Sequence, residues 1–200
     1  MPNLIKIHTG LIYSQQNRPL PEITHIPLRS LISLTISFGD KVALEKVIPL
    51  LDFPSLTELN FHGLFSVDPV KKLITRSRCG PQLVKLQLIC FEEYTNTPAD
   101  DILSILELTP NVEELLVLPL KDSDGDSLLS FFLSKNDISS STGGSPSPFP
   151  KLSKLEFGVN NSSHGSIDSF LSDIPLLYPS LVFVDVYDVT RSFKKYEYRR

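Results

Sequence analysis

One apolar spelling returns seven times along the chain, and it constrains the fold more than any other feature. It reads apolar, two variable residues, apolar, one variable residue, then apolar or small. The copies are Leu4-Ile7-Thr9, Leu31-Leu34-Ile36, Leu56-Leu59-Phe61, Leu83-Leu86-Leu88, Val112-Leu115-Val117, Leu152-Leu155-Phe157 and Leu181-Val184-Val186. Most follow a proline step: Pro54-Ser55, Pro81-Gln82, Pro110-Asn111, Pro150-Lys151 and Pro179-Ser180, with Pro2-Asn3 before the weak first copy. Successive copies start 27, 25, 27, 29, 40 and 29 residues apart. Side chains of a strand alternate between its faces, so the last two apolar positions share one face. A single strand cannot bury that face alone. Stacked side by side, repeats of this period form a parallel sheet over a continuous core. Each strand must return to the same edge of the sheet, usually through a helix.

The return helices are legible. Asp40 precedes the helical spacing of Lys41 to Leu51, a capping residue ahead of an apolar period. Asp68 precedes Pro69-Val70-Lys71-Lys72-Leu73-Ile74, with proline at the favoured first position. Thr97-Pro98-Ala99-Asp100 opens a helix over 101–106. Asp124 or Asp126 opens one over 127–133, and Ser166 opens one over 167–172. Period, caps and amphipathicity agree, which is what a foldable sequence requires. The expected fold is an α/β leucine-rich repeat solenoid, a horseshoe with a parallel concave sheet and outer helices. Residues 1–190 are expected to form about seven irregular repeats as one domain.

The 40-residue step has a visible cause. Between Ser134 and Pro150 lies Ser139-Ser140-Ser141-Thr142-Gly143-Gly144-Ser145-Pro146-Ser147-Pro148. This tract has nothing to pack, and 134–150 reads as a loop inserted into one repeat, either passive or a phosphorylated regulatory segment. Residues 191–200 carry five basic residues and one acidic. They read as a basic tail, either solvated or touching RNA or an acidic partner through its interleaved aromatics.

Composition narrows the function. With 41% hydrophobic residues in 200, a sizeable core is available. A net charge of −4 argues against a general nucleic-acid binder. No apolar run reaches the ~18 residues of a membrane helix, and Met1-Pro2-Asn3 leads directly into repeat pattern rather than a signal peptide. Two cysteines, Cys79 and Cys90, are too few for a disulfide framework and read as buried thiols. The expected location is intracellular, cytoplasmic or nuclear.

Catalytic and metal chemistry is hinted at and fails. Asp122-Ser123-Asp124-Gly125-Asp126 resembles part of a calcium loop, but Leu133 stands where that loop needs its glutamate. It reads as an acidic turn and helix cap. His8, His25, His62 and His164 have no metal-ligand spacing. Asn160-Asn161-Ser162-Ser163 holds two overlapping glycosylation sequons, expected to be unused without a secretory signal. No nucleophile elbow, phosphate loop or dinucleotide fingerprint occurs. The chain is expected to be no enzyme, to need no cofactor or metal, and to bind no small-molecule substrate.

The outward positions of the strands are candidate binding residues. The first column reads Lys6, Ser33, Glu58, Lys85, Glu114, Lys154, Phe183, and its charges alternate from Glu58 to Lys154. Such neighbours can pair across the ladder. The second reads His8, Thr35, Asn60, Gln87, Leu116, Glu156, Asp185, and the third Ser37, His62, Ile89, Leu118, Gly158, Tyr187. Leu116 and Leu118 should face outward beside Ile89, either as a partner's anchor point or buried under the insertion or the tail. The partner-binding set is therefore Asn60, His62, Gln87, Ile89, Leu116, Leu118, Asp185 and Tyr187.

At Pro54-Ser55-Leu56-Thr57-Glu58-Leu59-Asn60-Phe61 and Pro150-Lys151-Leu152-Ser153-Lys154-Leu155-Glu156-Phe157 the spelling resembles ribonuclease-inhibitor-like repeats. Leu28-Arg29-Ser30-Leu31-Ile32-Ser33-Leu34-Thr35-Ile36 and Ile174-Pro175-Leu176-Leu177-Tyr178-Pro179-Ser180-Leu181 are similar to the irregular repeats of fungal F-box/leucine-rich repeat proteins. That resemblance implies substrate recognition in a cullin–RING ubiquitin ligase, with a protein substrate or adaptor as partner. The F-box itself is expected ahead of the repeats and is not found in this sequence. The alternatives are a truncated repeat fragment without independent function and an RNA-associated scaffold using the basic tail.

Overall fold

The apolar spelling becomes strands. A computed structural model describes residues 5–11, 26–38, 48–63, 67–89, 99–118, 129–133, 149–159, 164–188 and 194–200. One eight-stranded sheet contains β1 (Lys6–Leu11), β3 (Ser33–Phe38), β5 (Glu58–Gly63), β6 (Lys85–Ile89), β7 (Glu114–Leu118), β8 (Lys154–Val159), β9 (Phe183–Asp188) and β10 (Lys194–Arg199). Their order in space is their order in the chain. All neighbours from β1 to β9 pair parallel, and β10 pairs antiparallel with β9. The architecture is α/β, a mostly parallel open sheet with helices in its connections. The strands expected near 31–37, 56–61, 83–89, 112–118, 152–157 and 181–187 all lie in it.

The residue after the first apolar position of each copy varies freely, and the backbone explains why. The Ile5 carbonyl accepts from Ile32 and Ser33, that of Ile32 from Thr57 and Glu58, and that of Thr57 from Val84 and Lys85. The pattern continues from Val84 to Glu113 and Glu114, from Glu113 to Ser153 and Lys154, and from Ser153 to Val182 and Phe183. One carbonyl per repeat thus fixes two amides of the next at 2.8–3.2 Å. The backbone alone makes this bond, so Ile, Val and Glu serve as well as Thr57 and Ser153, whose hydroxyls add a donation to the preceding seam carbonyl at 3.4 and 3.1 Å.

Within the sheet the inward positions form the core. Leu34, Leu59, Leu86, Leu115, Leu155 and Val184 are 2% exposed or less, as are Ile36, Phe61, Leu88, Val117, Phe157 and Val186. Helices α1 (Val67–Ser77), α2 (Ala99–Leu106) and α3 (His164–Leu177) contribute Val70, Leu73, Ile74, Ile102, Ile105, Ile167, Phe170 and Ile174 to the same core.

Of the helix expected over 41–51, residues 41–47 lie outside the described residues, and the rest is not α-helical. Instead of helix through Leu51, Ile48–Leu50 is a 3₁₀ turn, and β4 (Leu51–Asp52) pairs parallel with β2 (Ile26–Pro27) in a separate small sheet. Pro49 offers no N–H and disfavours a helical residue before it. Arg76 of α1 donates to the carbonyls of Ile48 and Leu51.

The long step is filled by aromatics. Residues 129–133 are helical, and Phe132 lies 5.8 Å from Phe149, 6.2 Å from Tyr178 and 6.5 Å from Phe157, centroid to centroid. The Tyr178 hydroxyl donates to the Phe132 carbonyl at 3.3 Å. Phe149 is a fully buried core residue, which corrects the expected loop boundary of 134–150: the repeat resumes at Phe149. The Ser/Gly/Pro tract, the acidic turn at 122–126, the sequons at 160–163 and Cys90 lie outside the described residues.

Candidate functional site

The three outward columns are real rows across the sheet. Registers align Lys6, Ser33, Glu58, Lys85, Glu114, Lys154 and Phe183, and likewise His8, Thr35, Asn60, Gln87, Leu116, Glu156 and Asp185. In the third column Ser37, His62, Ile89 and Leu118 stand in line, and Gly158 faces Tyr187.

The charge ladder forms only in part. Lys85 and Glu114 pair across the strands at 2.8 Å. Lys154 instead turns along its own strand to Glu156 at 2.6 Å, and Glu58 lies 3.8 Å from Lys6, two strands away. Ser33 between them is short enough to let Lys6 reach over.

Near the centre the face is polar, then apolar. Asn60 is buried and donates Nδ2 to Thr35 Oγ1 at 3.0 Å. Gln87, Ile89, Leu116 and Leu118 are half-buried, as is His62. Leu116 and Leu118 alternate with buried Leu115 and Val117, so they occupy the opposite face. Ile89 is the register partner of Leu118. Three apolar side chains therefore share one face between Gln87 and Glu156.

At the C-terminal end the expected binding residues are already occupied. Asp185, expected among the outward partner-binding residues, is 2% exposed. Lys195 and Arg199 of β10 each bridge it at 2.8 Å. Burial alone would raise its pKa, yet the hydrogen bonds and charges of Arg199 and Lys195 outweigh burial and hold the carboxyl below the ordinary carboxylate range. The hydrogen bond to Asp185 raises the pKa of both cations. The Tyr187 hydroxyl lies 3.2 Å from Asp185 and 3.3 Å from Glu156, its one proton shared between the two carboxylates. Burial, with these carboxylates beside it, pushes its pKa up to about 12. Arg199 also lies 3.4 Å over the Phe183 ring, with Lys154 at 5.0 Å, a cation–π arrangement.

The expected basic tail is therefore corrected for residues 194–200. Alternation Lys195-Glu197-Arg199 against Tyr196-Tyr198 makes a strand, its charges on the open face and its half-buried tyrosines against the core. Sequence reasoning missed this because no apolar spelling marks the segment. The signal available was the two-residue alternation itself.

Elsewhere, among the described residues, no group of three or more His, Cys, Asp or Glu could hold a metal, and no helix is long and apolar enough to cross a membrane. Cys79 is buried, and burial pushes its thiol pKa up to about 11, away from reactive thiolate. A hollow of about 540 Å³ on α1 is lined by Asp68, Lys71, Lys72, Thr75 and Arg76, but Arg76 is committed to backbone carbonyls. Comparison with known proteins matches the chain to no family model, no curated protein and no solved structure.

Proposed function

We propose that the chain is a leucine-rich repeat solenoid whose open sheet face is a protein-interaction surface, serving substrate recognition in an F-box-like ubiquitin-ligase component. The observation that carries this reading is the apolar group Ile89, Leu116 and Leu118 on the face opposite the core. An open sheet face with a small apolar centre, amides to one side and ion pairs around it suits a protein segment better than a small molecule. The RNA reading loses support, because Lys195 and Arg199 are spent on Asp185.

The test is affinity capture with mass spectrometry, comparing wild type with Leu116→Glu combined with Leu118→Lys. Wild type should retain a specific protein together with ligase subunits, and the double variant should lose the protein. Because both leucines are half-buried outside the core, the variant should melt within about 1 kcal/mol of wild type. A loss of ~2–4 kcal/mol would show the pair to be covered by the chain itself and would remove the surface.

A further inference from the structure

The two ends of the sheet are finished differently. At one end β10 seals β9. At the other, no strand among the described residues pairs with the outer edge of β1. Burial of the inward positions also falls off there. Ile7 and Thr9 are half-buried, whereas every equivalent residue from β3 to β9 is 2% exposed or less. Ile5 beside them is 49% exposed.

We propose that this edge pairs with the β1 edge of a second copy of the chain, antiparallel across a two-fold axis with His8 opposite His8. The backbone dictates the register. The Ile5 carbonyl accepts from Ser33 on β3, so by alternation the amides and carbonyls of Ile7 and Thr9 face β3. Those of Lys6, His8 and Gly10 then face the open edge. An antiparallel partner must match these outward groups with its own, and opposed residues must share a face. Centring the pair on His8 meets both conditions and uses the full strand, with about six inter-strand hydrogen bonds.

The side chains suit this register. Ile7 of one copy lies opposite Thr9 of the other, so each half-buried position covers its counterpart. Lys6 meets a glycine, Gly10, and no like charges are directly opposed, which would be unfavourable. A closed two-fold contact consumes both edges and stops at a dimer. The β10 edge is a poorer candidate, because Lys195, Glu197 and Arg199 alternate along it, and charge is how edge strands resist pairing.

Sedimentation velocity over a concentration series tests the proposal, with His8→Pro as the edge-blocking variant. Position 8 uses its N–H toward the edge and not toward β3, so proline leaves the β1–β3 ladder intact. Wild type should show a monomer–dimer equilibrium, and His8→Pro should weaken it by about tenfold or more. Independently, His8→Cys should give a disulfide-linked dimer under mild oxidation, mapped between the introduced thiols. Opposed residues of a hydrogen-bonded pair have Cα atoms about 5.5 Å apart, within disulfide reach. A wild type that stays monomeric at every concentration overturns the proposal. So does a dimer that His8→Pro leaves unchanged, or one in which the introduced thiols do not crosslink.

Discussion

Asp185 shows how a residue's place in the repeat and its use can part company. Its row and parity are those of a surface binding residue, and sequence alternation alone puts it there. What removes it from the surface is a strand contributed from outside the repeat. Its folded-state pKa is depressed below the unfolded value, so its contribution to stability is full above the ordinary carboxylate range. That contribution is lost as pH falls through the lower folded value. Asp185→Asn should therefore cost about 1–3 kcal/mol at neutral pH, the scale of hydrogen bonds to a charged group. It should also shrink the stability difference from wild type as the pH is taken into the acid range. Urea titrations of both proteins across pH measure this, and a difference that stays constant with pH would show that the ion pairs are idle. Leu116 and Leu118 lie where the period places them. Their half-buried state could not be read from the period, because it depends on how Gln87 and Glu156 lie beside them.

At the level of elements, the strands β3 and β5 to β9 were legible because each carries a long, redundant signal: two inward apolar residues and a preceding apolar anchor, in most copies after a proline step. The connections were less so. Pro49 stands where helical spacing was expected to continue, and Ile48–Leu50 is a 3₁₀ turn instead, while α3 begins three residues before and ends five beyond the expected 167–172, running through Pro175. Phe149 was hidden at the end of a polar tract, although its neighbours in space, Phe131 and Phe132, sit on the other side of that tract. The consequence is a sharp contrast within one connection. Deleting Ser139 to Pro148 should leave the fold intact, since loop length costs little entropy, and a loss above ~2 kcal/mol in a denaturant titration would contradict this. Phe149→Ala, one residue further on, should cost about 3–5 kcal/mol through the cavity left beside Phe131 and Phe132. Gly80 makes the same point about the seam between neighbouring repeats. A Cβ built there collides with the Leu108 carbonyl oxygen and sits 3.2 Å from an Ile74 methyl. Gly80→Ala should therefore destabilise by about 1–3 kcal/mol, as overpacking does, and thermal melts would show it.

For the whole molecule, sequential strand order makes stability a matter of neighbours. In the large sheet β3 and β5 to β9 are each flanked on both sides, and a carbonyl seam joins each repeat to the next, so opening one interior strand disrupts two interfaces. The end strands disrupt only one. They are not equivalent, however, because β10 is tied down by the Asp185 bridges, the Arg199–Phe183 stack and the half-buried Tyr196 and Tyr198. β1 has half-buried Ile7 and Thr9, and its one described ion pair, Lys6 with Glu58, is long and 71% exposed on the lysine side. Exposed pairs of that kind contribute little. Native-state hydrogen exchange should therefore show a graded, asymmetric profile. Protection should be highest from β5 to β8, intermediate in β9 and β10, and lowest in β1, where the amides of Ile7 and Thr9 are bonded to β3 yet open locally. Run at a concentration low enough to keep the chain monomeric, the experiment isolates this intrinsic gradient. Ile7 and Thr9 amides as slow as those of Leu59 and Leu86 would mean that β1 belongs to the cooperative core, and that its half-buried side chains do not set its local stability.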